Sequence, residues 1–344
     1  MARGADPALH DAASTRAVKV SEGFGRGVRR RPVRYRRPGS PQHLRRPAVN
    51  HRSTPSYGQL MCRVSFREKT RDSLIHRPQE GGRNYTAVSV LHGVTVVDLN
   101  ADVGEWDSGP PSSEVELMRF ISSANIACGV HAGNSCVMLN TVELAAAHGV
   151  AIGAHPSFDD RDHFGRREMT VSTVEVERLI SLQLETLASI AARLKVRIRH
   201  VKPHGALYNM SARDRSLADA VAAAVAAFDP KLVLYGLAGS ESITAGRAAG
   251  LRTASETFAD RAYLADGSLA PRSAPGAVIE DADVVATRAV RMAREQSVVA
   301  LDGTAVHVTA ETICVHGDTP AAATLTRRVR QALEAAGVQI SAIR

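Results

Sequence analysis

The sequence is short of cysteine and of lysine and has no long apolar run, and each shortage excludes something. Cys62, Cys128, Cys136 and Cys314 form no C-x-x-C pair and no regular framework. In a chain of 344 residues that pattern reads as reduced thiols in a cytoplasmic protein, not as a disulfide scaffold. No apolar stretch reaches the roughly 18 residues a membrane span needs. Several catalytic signatures are also missing. No G-x-x-x-x-G-K-[ST] is present, which excludes a P-loop for ATP, and no G-x-G-x-x-G follows a strand. Neither a G-x-S-x-G nucleophile elbow nor an H-E-x-x-H pair appears.

The formal charge of +8 would suit a nucleic-acid binder if it lay on the fold. It does not. Residues 1–93 carry 19 Lys+Arg against 6 Asp+Glu, a net of +13, whereas 94–344 carry 24 against 29, a net of −5. The ordered part is mildly acidic, so neither a nucleic-acid nor a membrane partner is expected. Residues 1–93 hold Arg29-Arg30-Arg31, Arg36-Arg37 and Arg45-Arg46 among Pro, Gly and Ser, with no hydrophobic periodicity until about Val88. Such a segment cannot bury enough apolar surface to offset chain entropy, and a disordered basic extension is expected. Its Arg-rich, acid-poor composition also fits an organelle transit peptide, and a start of translation at Met61 or near Val94 would account for it as well.

From Val94 onward strand-like and helix-like segments alternate. Strands are predicted at Val94–Leu99, Ala124–Ala127, Val150–Ala154, Arg197–Val201, Lys231–Leu237, Leu251–Ser255 and Thr312–Val315. Between them lie helical patterns, one opened by Ser172 and Glu175 at capping-box spacing. Thr319-Pro320 is predicted to start the last helix. Residues 298–308 are ambiguous, with Asp302-Gly303 as a hairpin turn. About seven such units in residues 94–344 predict parallel strands crossed by helices in a single α/β barrel, with a doubly wound open sheet as the alternative.

Strand ends in such folds face one pocket. Here they carry Asp98, Asn100, Asp102 and Glu105, then Asn125 and His131, His155, Lys202 and His204, Glu256, and finally His316 and Asp318. Asp98 or Asp102 could equally be a cap or turn residue. His155 precedes Pro156 and could cap its loop. Lys202 is one of only five lysines, and it leaves an apolar strand directly, so it needs an anionic partner. Asp98, His131 and His155 also suit zinc or manganese, although their spacing is irregular. Cys128 reads as a small buried thiol, and His148, His163, His200 and His307 as solvated or packing residues. The mixture of carboxylates, imidazoles and one lysine suits proton transfer and charge stabilisation at a small anionic substrate, with hydrolysis of an amide as the natural class.

These motifs resemble the LamB/YcsF family. The resemblance rests on Asp98-Leu99-Asn100-Ala101-Asp102-Val103-Gly104-Glu105, Ser123–Gly133, Gly153-Ala154-His155-Pro156-Ser157-Phe158, Arg199–Asn209, Phe258–Tyr263 and Cys314–Asp318, and covers about Val94 to the C-terminus. It implies an irregular (β/α)7-type TIM-like barrel of the glycoside hydrolase/deacetylase kind. It also implies ATP-dependent opening of the lactam of 5-oxoproline to L-glutamate, with ATP as co-substrate of a complex that contains separate B and C subunits. The implied catalytic residues are Asp98, Asp102, His131, His155 and Lys202. Substrate contacts would come from Asn100, Glu105, Asn125, His204, Asn209, Glu256, Arg261, His316 and Asp318. Two other readings stay open: a stand-alone metal-dependent deacetylase or amidohydrolase, and a non-catalytic subunit that delivers substrate. The family normally begins at the first strand, so residues 1–93 have no counterpart in it.

Overall fold

Along Val96-Val97-Asp98-Leu99-Asn100-Ala101-Asp102-Val103 apolar and polar residues alternate, which is the period of a strand with two different faces. The computed structural model describes residues 94–107, 110–315 and 322–343. The expectations for residues 1–93, His316 and Asp318 therefore lie outside the described residues. Val96–Val103 is one continuous strand, β1. Val97, Leu99, Ala101 and Val103 pack outward into apolar cores, and Asp98, Asn100 and Asp102 point to the other face, where they bond to residues of other strands.

After β1 come α1 (Ser112–Leu117), β2 (Ser123–Ala127), α2 (Ser135–Ala147), β3 (Ala151–His155), α3 (Thr173–Arg193) and β4 (Ile198–Val201). The chain continues through α4 (Gly205–Arg213), α5 (Arg215–Phe228), β5 (Val233–Leu237), α6 (Glu241–Ala248) and β6 (Arg252–Phe258). It ends with α7 (Ala282–Glu295), β7 (Ser297–Val299), β8 (Ala305–His307), β9 (Thr312–Cys314), α8 (Ala322–Ala335) and β10 (Gln339–Ile340). β1 to β6 pair in order, β6 pairs with β9, and β9 pairs back with β1, all parallel. Seven described strands thus close an α/β barrel, as the alternation predicts. β7 and β8 form an antiparallel hairpin apart from this ring, and β10 runs parallel to the start of β1.

The helices cover the outside of the ring through periodic apolar faces. α3 begins at the expected capping box, with Ser172 Oγ accepting from the Glu175 N–H and Glu175 accepting from the Ser172 N–H. Val176, Ile180, Leu184 and Leu187 of α3 are all buried, a spacing that puts them on one stripe, and each contributes about 1.5–3 kcal/mol by leaving water. No helix among the described residues is long and apolar enough to cross a membrane.

Three differences from the sequence expectation stand out, and the two in strands share a cause. β1 runs on to Val103 and β6 to Phe258, past the polar residues that were expected to end them. α4 is a separate helix that meets α5 at Asp214, whose carboxylate caps α5 through the Leu217 N–H. The strands continue because their inward polar side chains find partners inside the barrel, so burial costs them little.

Candidate active site

The interior of the barrel is polar from bottom to top, and the polar groups form levels. At the lowest level Asp98 is fully buried and accepts four hydroxyl hydrogen bonds. Ser122 and Ser123 reach Oδ1 at 2.6 and 2.7 Å, and Thr312 and Tyr235 reach Oδ2 at 2.7 and 3.0 Å. Burial raises the Asp98 pKa, and the four hydroxyls oppose that rise. Asp98, expected among the catalytic residues, does not line the cavity. It is a saturated hub.

One rung higher, Asn100 Nδ2 donates to Glu256 Oε1 at 2.9 Å and to Thr312 Oγ1 at 2.7 Å, and its Oδ1 accepts from Asn125 at 2.7 Å. Asn125 also donates to Asp102 Oδ1 at 2.8 Å and accepts from His200 Nε2 at 2.7 Å. Both amides, expected as substrate contacts, are absent from the lining of the cavity and brace the groups that form it. His200 is a packing residue, as the sequence suggests. Its ring stacks on Tyr235 at 4.3 Å and lies against Gly153, where a Cβ would fall 2.0 Å from Nε2. Only glycine fits there.

Lys202 follows β4 and forms the floor of the cavity. Its Nζ pairs with Asp102 Oδ1 at 2.9 Å and Glu256 Oε1 at 3.0 Å, with Cys314 Sγ at 3.1 Å. Burial pulls the Lys202 pKa down, but the nearby acids, Asp102 foremost, outweigh it and hold the ammonium well above its ordinary value. The anionic partner expected for this lysine exists in the chain, and it is Asp102 with Glu256.

Around the mouth stand Glu105, His131, His155 and His204, each offering one donor atom within 4.8 Å of the others. Glu105 Oε1 lies 3.3 Å from His131 Nε2, 3.4 Å from His204 Nδ1 and 3.9 Å from His155 Nε2. The rings of His131 and His204 stack at 3.9 Å. Burial, then the neighbouring histidines, push His204 well below the usual imidazole range, and burial also lowers His131. This quartet fits a divalent metal by residue type. His131 and His155 are expected there from the sequence, whereas Glu105 and His204 are expected only as substrate contacts.

The turn that presents Glu105 is built by Glu114, a residue that no motif singles out. Glu114 accepts from the Gly104 N–H and from Trp106 Nε1, both at 2.9 Å, and so clamps the residues on either side of Glu105. Its one sequence signal is an acid in the first turn of α1, which ordinary helix capping already explains. Ser122, Ser123, Thr312 and Tyr235 escape sequence reasoning as well, because hydroxyls in strands carry no motif.

Asp102, Glu105, His155, Lys202 and His204 open onto a cavity of about 650 Å³. Its far wall carries Asn209 and Arg261, both expected as substrate contacts, with Arg166 and Arg272 beside them. Arg261 is buried and donates to the Ala270 and Ala277 carbonyls. Burial, then the charge of Arg272, lower its pKa to about 10. Cys128 is enclosed, and burial raises its thiol to about 12, which suits the packing role expected for it. His148, His163 and His307 are exposed, as expected.

Known proteins are similar to this chain over the whole barrel. The profile of the LamB/YcsF family matches residues 97–344. A protein of Geobacillus kaustophilus (strain HTA426), named as the A subunit of 5-oxoprolinase, is 51% identical over 248 residues, 72% of this chain and 97% of its own length. A protein of the same name from Tolumonas auensis is 50% identical, over 72% of this chain and 99% of its own. Among solved structures, a lactam utilization protein from Thermus thermophilus superimposes with a TM-score of 0.68 at 48% identity, covering 72% of this chain and all of its own. The chain belongs to the LamB/YcsF family.

Proposed function

We propose that this chain is the ring-opening component of a multi-subunit 5-oxoprolinase, converting 5-oxo-L-proline to L-glutamate with ATP as co-substrate of the complex. Separate B and C subunits are its partners, residues 94–344 are its catalytic domain, and the complex works in the cytoplasm. Two relatives at about half identity and nearly full length carry the name of the 5-oxoprolinase A subunit, which supports the substrate. The observation that carries the chemistry is the Lys202–Asp102 pair, 2.9 Å apart on the floor of a cavity walled by arginine.

Ring opening adds water across the lactam C–N bond. The water oxygen joins the carbonyl carbon, and the ring nitrogen leaves with a proton. A lactam carbonyl is a weak electrophile; transfer of the ATP γ-phosphoryl to its oxygen releases ADP and activates the carbon. Water addition and C–N cleavage then leave an acyl phosphate, which a second water hydrolyses to glutamate and phosphate. A chain without a P-loop leaves the handling of ATP to its partners. Lys202 Nζ then stabilises the charge that grows on the substrate oxygen, a donor already fixed in place and so needing no reorganisation. Asp102, whose Oδ1 anchors Lys202, uses Oδ2 to take a proton from the attacking water. Arg261 and Asn209 on the far wall hold the anionic end of the substrate.

Co-purification with the B and C subunits tests this. Glutamate and ADP should both form from 5-oxoproline and ATP, and glutamate should vanish when the chain is omitted. Glutamate production that continues without the chain sinks the reading.

A further inference from the structure

The hydrogen bonds at the mouth leave two histidine nitrogens facing each other. His155 Nδ1 lies 2.7 Å from the Lys202 carbonyl, and His204 Nε2 lies 2.9 Å from the Phe164 carbonyl. A carbonyl only accepts, so both nitrogens carry protons and donate outward. In neutral rings the other two nitrogens, His155 Nε2 and His204 Nδ1, are then bare lone pairs. They face each other at 2.9 Å. Two such lone pairs repel unless a proton or a metal ion is shared between them.

We propose that Glu105, His131, His155 and His204 bind one first-row divalent cation of the zinc class, with Asp102 as the adjoining carboxylate. Three observations carry this beyond the lactam reading, on which it does not rest. The first is spacing. Two ligands about 2.0–2.1 Å from one metal lie about 2.9 Å apart when cis in an octahedron and about 3.4 Å apart in a tetrahedron. The donor separations are 2.9 Å between the histidine nitrogens and 3.3, 3.4 and 3.9 Å from Glu105 Oε1 to His131, His204 and His155, the last nearer the spacing of a trans pair. A single shared proton would satisfy one of these contacts and leave the others.

The second is the outer support. Metal-bound imidazoles donate their remote N–H to a fixed acceptor, which sets tautomer and ring angle. His155 and His204 both do so through backbone carbonyls. The carbonyl for His204 comes from Phe164, held at φ 56° in the left-handed region, a conformation that costs a residue with a side chain and marks a built feature. Gly165 follows at φ 64°, and a Cβ there would strike Ser157 Oγ at 2.1 Å and crowd His131 Cβ and the His204 ring.

The third is charge. Lys202 is paired with Asp102 and Glu256, whereas the contacts of Glu105 are all to histidines, so among the described residues its carboxylate has no fixed cation beside it. A bound cation would supply one. Imidazole-rich ligation with one or two carboxylates selects zinc, manganese or cobalt over magnesium and calcium, which prefer all-oxygen shells. Glu105, His155 and His204 line the cavity, so a coordination position faces the substrate space. A cation of this class would lower the pKa of a water bound there.

Titration of the full chain with Zn²⁺ and with Co²⁺, after chelator treatment, tests the site by metal analysis and by the visible spectrum of the cobalt form. One tight equivalent per chain is expected in the wild type. Glu105→Gln should weaken it about tenfold or more, and Glu105→Gln/His204→Ala should abolish it. The histidines of residues 1–93 are common to all these chains, so the difference reports the quartet alone. Glu105→Gln preserves shape, and far-UV circular dichroism verifies that each variant is folded. Wild-type binding no tighter than that of the double variant overturns the proposal. So does a ¹⁵N imidazole spectrum, in the presence of metal, that shows a proton shared by His155 and His204. Glutamate production answers the separate question: a chain that loads metal and still yields no glutamate with its partners defeats the lactam reading only.

Discussion

The bottom and the mouth of the barrel contain the same kinds of residue and treat them differently. Asp98 below has four hydroxyl donors for its two oxygens. At the mouth His155 Nε2 and His204 Nδ1 face each other at 2.9 Å, and His131 Nδ1 finds no hydrogen-bond partner among the described residues. A saturated buried network fixes a fold, and an incompletely satisfied one is tolerated where something else must bind. Burial of a carboxylate or a histidine therefore does not mark a site here. At the mouth it is accompanied by unmet hydrogen-bonding capacity.

The contrast can be broken most directly at its boundary. Lys202→Met removes the ammonium and keeps its length, and glutamate production by the reconstituted complex should fall about a thousandfold, ~4 kcal/mol of barrier. Full production would return Lys202 to a structural role. Asp98→Ala acts on the other side of the boundary. It strands hydroxyls that lost a shared acceptor, and urea unfolding should show a loss of about 3 kcal/mol or more, while the fraction that stays folded keeps its turnover. A lost turnover in folded protein would place Asp98 with the mouth after all.

Gly153→Ala probes the packing that separates the levels. A Cβ 2.0 Å from the His200 ring must displace it, and overpacking of this kind costs about 1–3 kcal/mol. An unchanged thermal midpoint would mean that the His200 ring is not held. A pH dependence gives the last test. Burial, then the charge of Lys202, lower the His200 pKa to about 3 from an ordinary 6.5. Below 6.5 the unfolded chain takes up a proton that the folded one refuses. This contribution to stability is thus complete above pH 6.5 and is lost as pH falls toward 3, by up to about 1.4 kcal/mol per unit. His200→Gln should flatten that slope between pH 6 and 4, and parallel curves for the two proteins would contradict the assignment.

Much of the barrel is legible in its residues, and some of it is not. The alternation after Val94 predicts the parallel strands, and Asp102, His131, His155, Lys202 and His204 follow from the idea that strand ends share a pocket. Depth does not follow. Asp98, Asn100 and Asp102 look equivalent at spacing two, yet one is a hub, one a brace and one a wall of the cavity, because the strand runs on for all of them. Ending β1 at Leu99 and β6 at Ser255 assumes that a strand stops where polarity begins, and that premise fails when the polar groups satisfy one another. The hydroxyl partners of Asp98 come from β2, β5 and β9 and the residue just before β2, separations of up to 214 residues. No local pattern encodes such a meeting.

Ring closure by β9 has a consequence for how the chain comes into being. During synthesis Asp98 leaves the ribosome 214 residues ahead of Thr312. Until Thr312–Cys314 is made, β1 and β6 are the bare edges of an open sheet, and such edges recruit stray strands. The nascent chain therefore carries every other wall of the barrel while remaining unable to shut it. Closure is a single late event with a large loop to gather, and proteins rich in such distant pairings fold slowly. The hydroxyl that completes the cage of Asp98 is also the last stitch in the seam.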